Sequence, residues 1–148
     1  MRHRAGCSVS QESLRFVRLE DLGFRIPPAL EPLRAEVLTL VAAAEEFQRV
    51  AAERLGLDAA GVDFAAKKVD TSAMRRLAPI GLSTHIMWTS NLRALRFVIE
   101  QRTSPGAEEE VRLVFDRVAE ISKQRWPAVF QDFERRGDGS WLAASGKV

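Results

Sequence analysis

The 148-residue chain has no tyrosine, a single cysteine, two histidines and only four lysines among its 22 basic residues. With Cys7 alone, no internal disulfide framework is available, and one thiol fits a reducing compartment. No run of eighteen apolar residues occurs, which excludes a membrane-spanning helix, and Met1 to Cys7 lacks the apolar core of a secretion signal. The expected location is the cytoplasm, with no membrane partner. An excess of one charge sign is missing too. Twenty-two basic residues face twenty acidic ones, so the net charge is +2 despite a computed pI near 9.1. Bulk attraction to nucleic acid therefore has little basis, and no nucleic-acid recognition motif is present. His3 and Cys7 lie four residues apart, but no second pair completes a tetrahedral metal site. Neither a Ser/His/Asp constellation nor a glycine-rich phosphate loop can be read, so no protein nucleophile or metal is expected.

What is present is a length suited to one domain and a 46% hydrophobic content, too high for a disordered chain. Residues 1–13 read as loop, and the alternation of Leu14 to Leu19 predicts a short strand. Apolar residues at Leu33, Val37, Leu40, Val41, Ala44, Phe47, Ala51 and Leu55 predict a long amphipathic helix over 30–57. A second helix is expected over 59–77 and a strand over 82–89, with His85 packed in it. Helices follow over 91–102 and 105–124, the latter capped by Ser104 and burying Val111, Val114, Phe115, Val118 and Ile121. Pro127 opens a last turn or two through Phe133, and residues 136–148 read as a flexible tail.

Eighteen arginines carry most of the positive charge. The skew fits a GC-rich coding sequence or the recognition of planar and phosphorylated anions. Arg102 follows Leu92, Leu95 and Ile99 on the apolar stripe of its helix, so its guanidinium starts from the buried side. Burial there needs an anion or acceptor; the alternative is a helix C-terminal residue that snorkels outward. Arg93 and Arg96 fall on the other face, where solvent and a four-residue pairing of Arg96 with Glu100 account for them.

Taken together, the blocks form an ordered pattern. Arg2-His3-Arg4 is followed by eight residues and then by Ser13-Leu14-Arg15-Phe16. This resembles the signature of the flavin-dependent thymidylate synthases, an Arg-His-Arg followed by Ser-x-Arg and an aromatic residue. Arg75-Arg76-Leu77-Ala78-Pro79-Ile80-Gly81 is similar to the family's Arg-(x)3-Pro-x-Gly stretch. Trp88 to Leu95 resembles its strand-to-helix Asn-x-Arg segment, and Glu100 to Ser104 with Ala107 and Glu110 its following helix end. The likeness runs through about residue 133.

The resemblance implies an α+β fold, mostly helical with a small antiparallel sheet. It implies one domain over 1–135 that lacks the family's N-terminal segment, followed by the tail at 136–148. It also implies reductive methylation of dUMP to dTMP. The carbon would come from methylenetetrahydrofolate and the hydride from reduced FAD recharged by NADPH, with the hard chemistry left to the flavin. Carried across, Arg2, His3, Arg4, Gln11, Asn91, Leu92, Arg93 and Phe97 would contact FAD. Arg2, Gln11, Glu12, Ser13, Leu14, Arg15, Arg75 and Arg102 would contact the nucleotide, largely through its phosphate. Arg102 would face the uracil ring and favour its ionised N3, activating C5; this catalytic role supplies the acceptor that the helix geometry asks for. No metal is implied. Family members are homotetramers whose sites draw on several subunits. Two departures stand out: Phe16 replaces the commoner tyrosine, and Phe97 occupies a position that is usually polar. Cys7 is unrelated to the nucleophile of the classical thymidylate synthases. The competing expectations are an inactive truncated remnant that binds nucleotide or flavin only, and an arginine-rich nucleic-acid binder with strongly salt-dependent affinity.

Overall fold

A computed structural model describes residues 6–144. Strand β1 (Cys7–Gln11) is followed by 3-10 turns and the long helix α1 (Arg34–Arg54), then by α2 (Phe64–Met74) and strand β2 (Ile86–Ser90). Helices α3 (Leu92–Thr103), α4 (Glu109–Arg125) and α5 (Pro127–Phe130) precede strands β3 (Phe133–Arg135) and β4 (Trp141–Ala143). The fold is α+β, dominated by helix, with two two-stranded sheets, β1–β2 and β3–β4. The amide of Asn91 donates to the Gly6 carbonyl and that of Glu12 to the His85 carbonyl. Numbers rise along one strand as they fall along the other, so β1 and β2 run antiparallel. The described chain divides into two compact units, residues 6–9 with 88–144, and residues 10–87.

The first unit has a continuous core. Leu95, Val98 and Ile99 of α3 meet Phe115 and Ala119 of α4, with Phe130, Phe133 and Trp141 closing the cluster. Asn91 caps α3, its Oδ1 accepting from the Ala94 amide at 2.8 Å. Ser104 ends that helix rather than starting the next. Its ψ of 144° is the extended conformation favoured before a proline, here Pro105. The cap of α4 is Glu108, whose carboxylate accepts from the Val111 amide, and Glu109 and Glu110 add negative charge at the positive end of the helix. The buried residues of α4 are Phe115, Ala119 and Ser122, with Val111 and Val118 packed at the edge. Val114 and Ile121, expected inside, are exposed. An α-helix offers one stripe to one neighbour, and this one is centred a position further along.

The segment from 136 is no loose tail as far as residue 144. Phe133 pairs with Ala143 and Arg135 with Trp141 in an antiparallel hairpin. Asp138 Oδ1 accepts from both the amide and the hydroxyl of Ser140, and Gly139 takes the positive φ that the turn requires. Trp141 donates its amide to Thr103 Oγ1 and its indole N–H to Asp116, which anchors the hairpin to α3 and α4.

In the second unit, the expected strand over Leu14–Leu19 is absent. Ser13 Oγ lies 3.4 Å from the Arg15 amide and the Ser13 carbonyl accepts from the Phe16 amide at 2.8 Å, so a turn forms instead. Local side-chain bonds of serine compete with strand pairing in this way. The strand lies earlier, at Cys7–Gln11, where a loop was expected, and Cys7 and Val9 are half-buried between exposed Ser8 and Ser10. Helix α1 forms where a helix was expected but is shorter than 30–57. Residues 30–33 belong to the 3-10 turn Pro28–Leu33, and the helix ends at Arg54 with Leu55 as its cap, followed by Gly56 with φ +63°. Helix α2 starts at Phe64, later than expected, because Asp63 caps it through the Ala66 amide. Ala52, Leu57 and Met74 form a small core between these helices. Leu82, expected in a strand, makes a single bridge to Phe24.

Candidate functional site

The residues predicted to contact ligands fall into three sets. Arg2, His3 and Arg4 lie outside the described residues. Gln11, Glu12, Ser13, Leu14, Arg15 and Arg75 belong to the second unit, and Asn91, Leu92, Arg93, Phe97 and Arg102 to the first.

In the second unit, Gln11 ends β1 and Glu12 follows it, both exposed. The turn that begins at Ser13 brings Leu14 and Arg15 to the wall of a groove of about 420 Å³. Arg18, Lys67 and Lys68 also line it, against the single carboxylate of Asp58. Arg18 Nη2 donates to both oxygens of Asp58, at 2.7 and 2.9 Å, and Lys67 Nζ lies 3.4 Å from Oδ1. Partial desolvation opposes ionisation of Asp58, yet the charge of Arg18 and the bonds from Lys67 and Arg18 outweigh it and hold the carboxyl below its ordinary range. Arg18 Nη1 is buried without a partner. The backbone beneath is fixed by the Leu19 amide, which donates to Oε1 of buried Gln48 at 2.7 Å. Phe16 stacks on Phe64 with ring centroids 6.0 Å apart, and the Arg15 guanidinium lies over the Phe16 ring. Four cations against one anion make a groove suited to a phosphate or carboxylate. Arg75 and Arg76, exposed in the 3-10 turn after α2, line a second shallow groove that shares Lys68.

In the first unit, Asn91 is held by its cap bond and by Gly6. A Cβ on Gly6 would sit 2.1 Å from Asn91 Nδ2, so only glycine permits this approach. Leu92 packs at the core edge, whereas Arg93 and Phe97, four residues apart, share an exposed face. Arg102 is half-buried in the last turn of α3. The fully buried place beside Ile99 is taken by its neighbour Thr103, whose hydroxyl donates to the Ile99 carbonyl.

Two expectations are corrected here. Arg96 is not on a solvated face paired with Glu100. It is buried, donates to both oxygens of Asp132 at 2.7 Å and to the Val129 carbonyl, and lies over the Phe133 ring at 4.6 Å. Hydrogen bonding to Asp132 raises its pKa further despite desolvation. Glu100 instead accepts from the Ala143 amide. His85 is not packed: its side chain is 88% exposed, just before β2, with Nδ1 2.8 Å from Glu12 Oε2.

Sequence reasoning missed Arg18, Asp58, Lys67 and Lys68. The three-residue step from Arg15 to Arg18 and the Lys67-Lys68 pair were visible, but the turn that aligns them was read as a strand. Among the described residues no cluster of three His, Cys, Asp or Glu could hold a metal, and no helix is long and apolar enough to cross a membrane.

Comparison with known proteins decides the family. The family model described as thymidylate synthase complementing protein matches residues 1–128. The chain belongs to that family. Over 98% of its length it is 34% identical to the flavin-dependent thymidylate synthase of Corynebacterium diphtheriae. It is 33% identical to the proteins of that name from Mycobacteroides abscessus and Mycobacterium tuberculosis, again over 98% of the chain. In each case the chain spans 60% of the relative's length. Membership covers both described units, so the Ser13–Arg15 turn and the α3 N-terminus are parts of one family's architecture.

Proposed function

We propose that the chain is a flavin-dependent thymidylate synthase that methylates dUMP to dTMP with methylenetetrahydrofolate and NADPH. The family match over residues 1–128 carries this reading. The cationic groove beside Ser13-Leu14-Arg15 supports it, because a nucleotide phosphate needs such donors.

In this reading the Glu12-Ser13-Leu14-Arg15 run, with Gln11 and Arg75, holds dUMP, and Arg15 pairs with the phosphate. Arg102 meets the uracil ring and stabilises the N3 anion, which raises electron density at C5. Family sites draw on several subunits, so these residues need not converge within one chain. Arg2, His3, Arg4, Gln11, Asn91, Leu92, Arg93 and Phe97 hold FAD. The described part of this set suits such a group. Arg93 offers a guanidinium to a phosphate, and exposed Phe97 offers apolar contact to a ring. Bound flavin supplies the hydride that completes the methyl group.

A homotetramer fits the surface of the second unit. Leu33, at the N-cap of α1, and Leu40 and Phe47 within it recur every seven residues and remain exposed, which suits burial against other copies. A cytoplasmic location is the one that nucleotide biosynthesis of this kind supports.

The test is binding and colour. Purified protein is expected to take up FAD, to show oxidised-flavin absorbance and to shift it on adding dUMP. Arg15→Ala should weaken dUMP binding about tenfold or more, the cost of a lost charged hydrogen bond. Failure to take up FAD together with failure to bind dUMP would overturn the proposal. Binding of both without turnover would favour the remnant reading.

A further inference from the structure

We infer that His85 is a positioning residue for Glu12, and that its protonation sets the charge beside the nucleotide-binding run. The inference deepens the proposed function and rests on its placement of Glu12. Two contacts join the two residues directly, and a third comes from the neighbouring Thr84. His85 Nδ1 lies 2.8 Å from Glu12 Oε2, the Glu12 amide donates to the His85 carbonyl at 3.0 Å, and the hydroxyl of Thr84 reaches the Glu12 carbonyl at 3.4 Å. The backbone bond fixes the register and the side-chain bond fixes the carboxylate. The next residue, Ser13, opens the turn that carries Arg15.

Histidine is the side chain type that most readily gains or loses a proton near neutral pH. Protonated, the His85 ring donates from Nδ1 to Glu12 and offers a second N–H at Nε2. The pair then carries no net charge. Once His85 is neutral, the bond can persist through the Nδ1–H tautomer, but the pair carries the full negative charge of Glu12. An anionic nucleotide docking beside it is then disfavoured. Glu12 is the titratable group that meets His85 from the β1 side. On its own segment, Ser83, Thr84 and Ile86 are uncharged. The high exposure of His85 lets a proton exchange freely and leaves Nε2 open to solvent.

The test measures dUMP affinity of the whole chain by calorimetry from pH 5.5 to 8.5, for the natural protein, His85→Gln and His85→Arg. The phosphate of dUMP itself ionises near pH 6. That contribution is common to all three proteins, so the ratio of affinities isolates residue 85. At pH 5.5 the natural protein should bind about fivefold more tightly than His85→Gln, the scale of one exposed charge interaction. The advantage should vanish by pH 8.5, and His85→Arg should keep it throughout. A ratio that stays constant with pH, or a His85→Arg protein that behaves as His85→Gln does, would overturn the inference. Absence of dUMP binding in all three proteins at every pH would instead overturn the proposed function, and the inference with it.

Discussion

Helices α3 and α1 are both amphipathic, yet α3 buries six of its 12 residues and α1 only three of its 21. The difference lies in what the chain supplies to cover them. Against α3 it supplies α4, three aromatic residues and a hairpin whose backbone bonds to Thr103 and Glu100. Along α1 the stripe through Val37, Val41, Ala44 and Gln48 faces inward, while Leu33, Leu40 and Phe47 are left on the surface. The core around α3 is therefore closed by its own chain, although Leu113, Val114 and Ile121 of α4 stay on the surface of the first unit. The second unit carries an exposed apolar stripe, and the same unit holds the cationic groove.

Breaking the first unit should have the largest effect. Phe130 is fully buried among Phe133, Trp126 and Arg96, and Phe130→Ala should cost about 3–5 kcal/mol of stability in chemical denaturation. Arg96→Met keeps the bulk but strips Asp132 of its guanidinium, and should cost about 3 kcal/mol by the same measurement.

A smaller effect with a pH signature is expected at Asp116. Its carboxyl is held below the ordinary range by hydrogen bonding from Arg135, opposed by burial and reinforced by Trp141. A depressed carboxylate stabilises the fold above the unfolded pKa of about 3.9, and the contribution is lost as pH falls through the lower folded value. Asp116→Asn should therefore cost about 1–2 kcal/mol at pH 7. Thermal melts of the two proteins should converge toward pH 3, whereas a gap independent of pH would place the effect elsewhere.

The smallest effect on the fold sharpens the comparison most. Leu40 is 70% exposed, so Leu40→Glu should change intrinsic stability by less than about 0.5 kcal/mol. Sedimentation should nonetheless show smaller species than the natural protein forms. The same change on a self-sufficient surface would leave assembly untouched.

The amphipathic stripes of α1 and α3 and the Asn91 start were legible because capping and periodicity are local. The turn at Ser13 was not. Leu14 to Leu19 alternates as a strand does, and only the bonds to Ser13 and the burial of Leu19 over Gln48 set the chain otherwise. Arg96 was misplaced because its acceptors, Asp132 and the Val129 carbonyl, lie more than thirty residues away. The motif blocks single out Arg15 and Arg102 as candidates by order and spacing. They carried no information on Arg18, Asp58 and Lys67, which reach the groove through tertiary contact, or on the bond between His85 and Glu12.

The central claim is that these residues serve thymidylate synthesis, and tritium release tests it most directly. Protein supplied with FAD, NADPH and methylenetetrahydrofolate should release tritium to water from dUMP labelled at C5, and Arg102→Ala should abolish the release while dUMP still binds. Protein that takes up FAD and binds dUMP yet releases no tritium under these conditions would contradict the account.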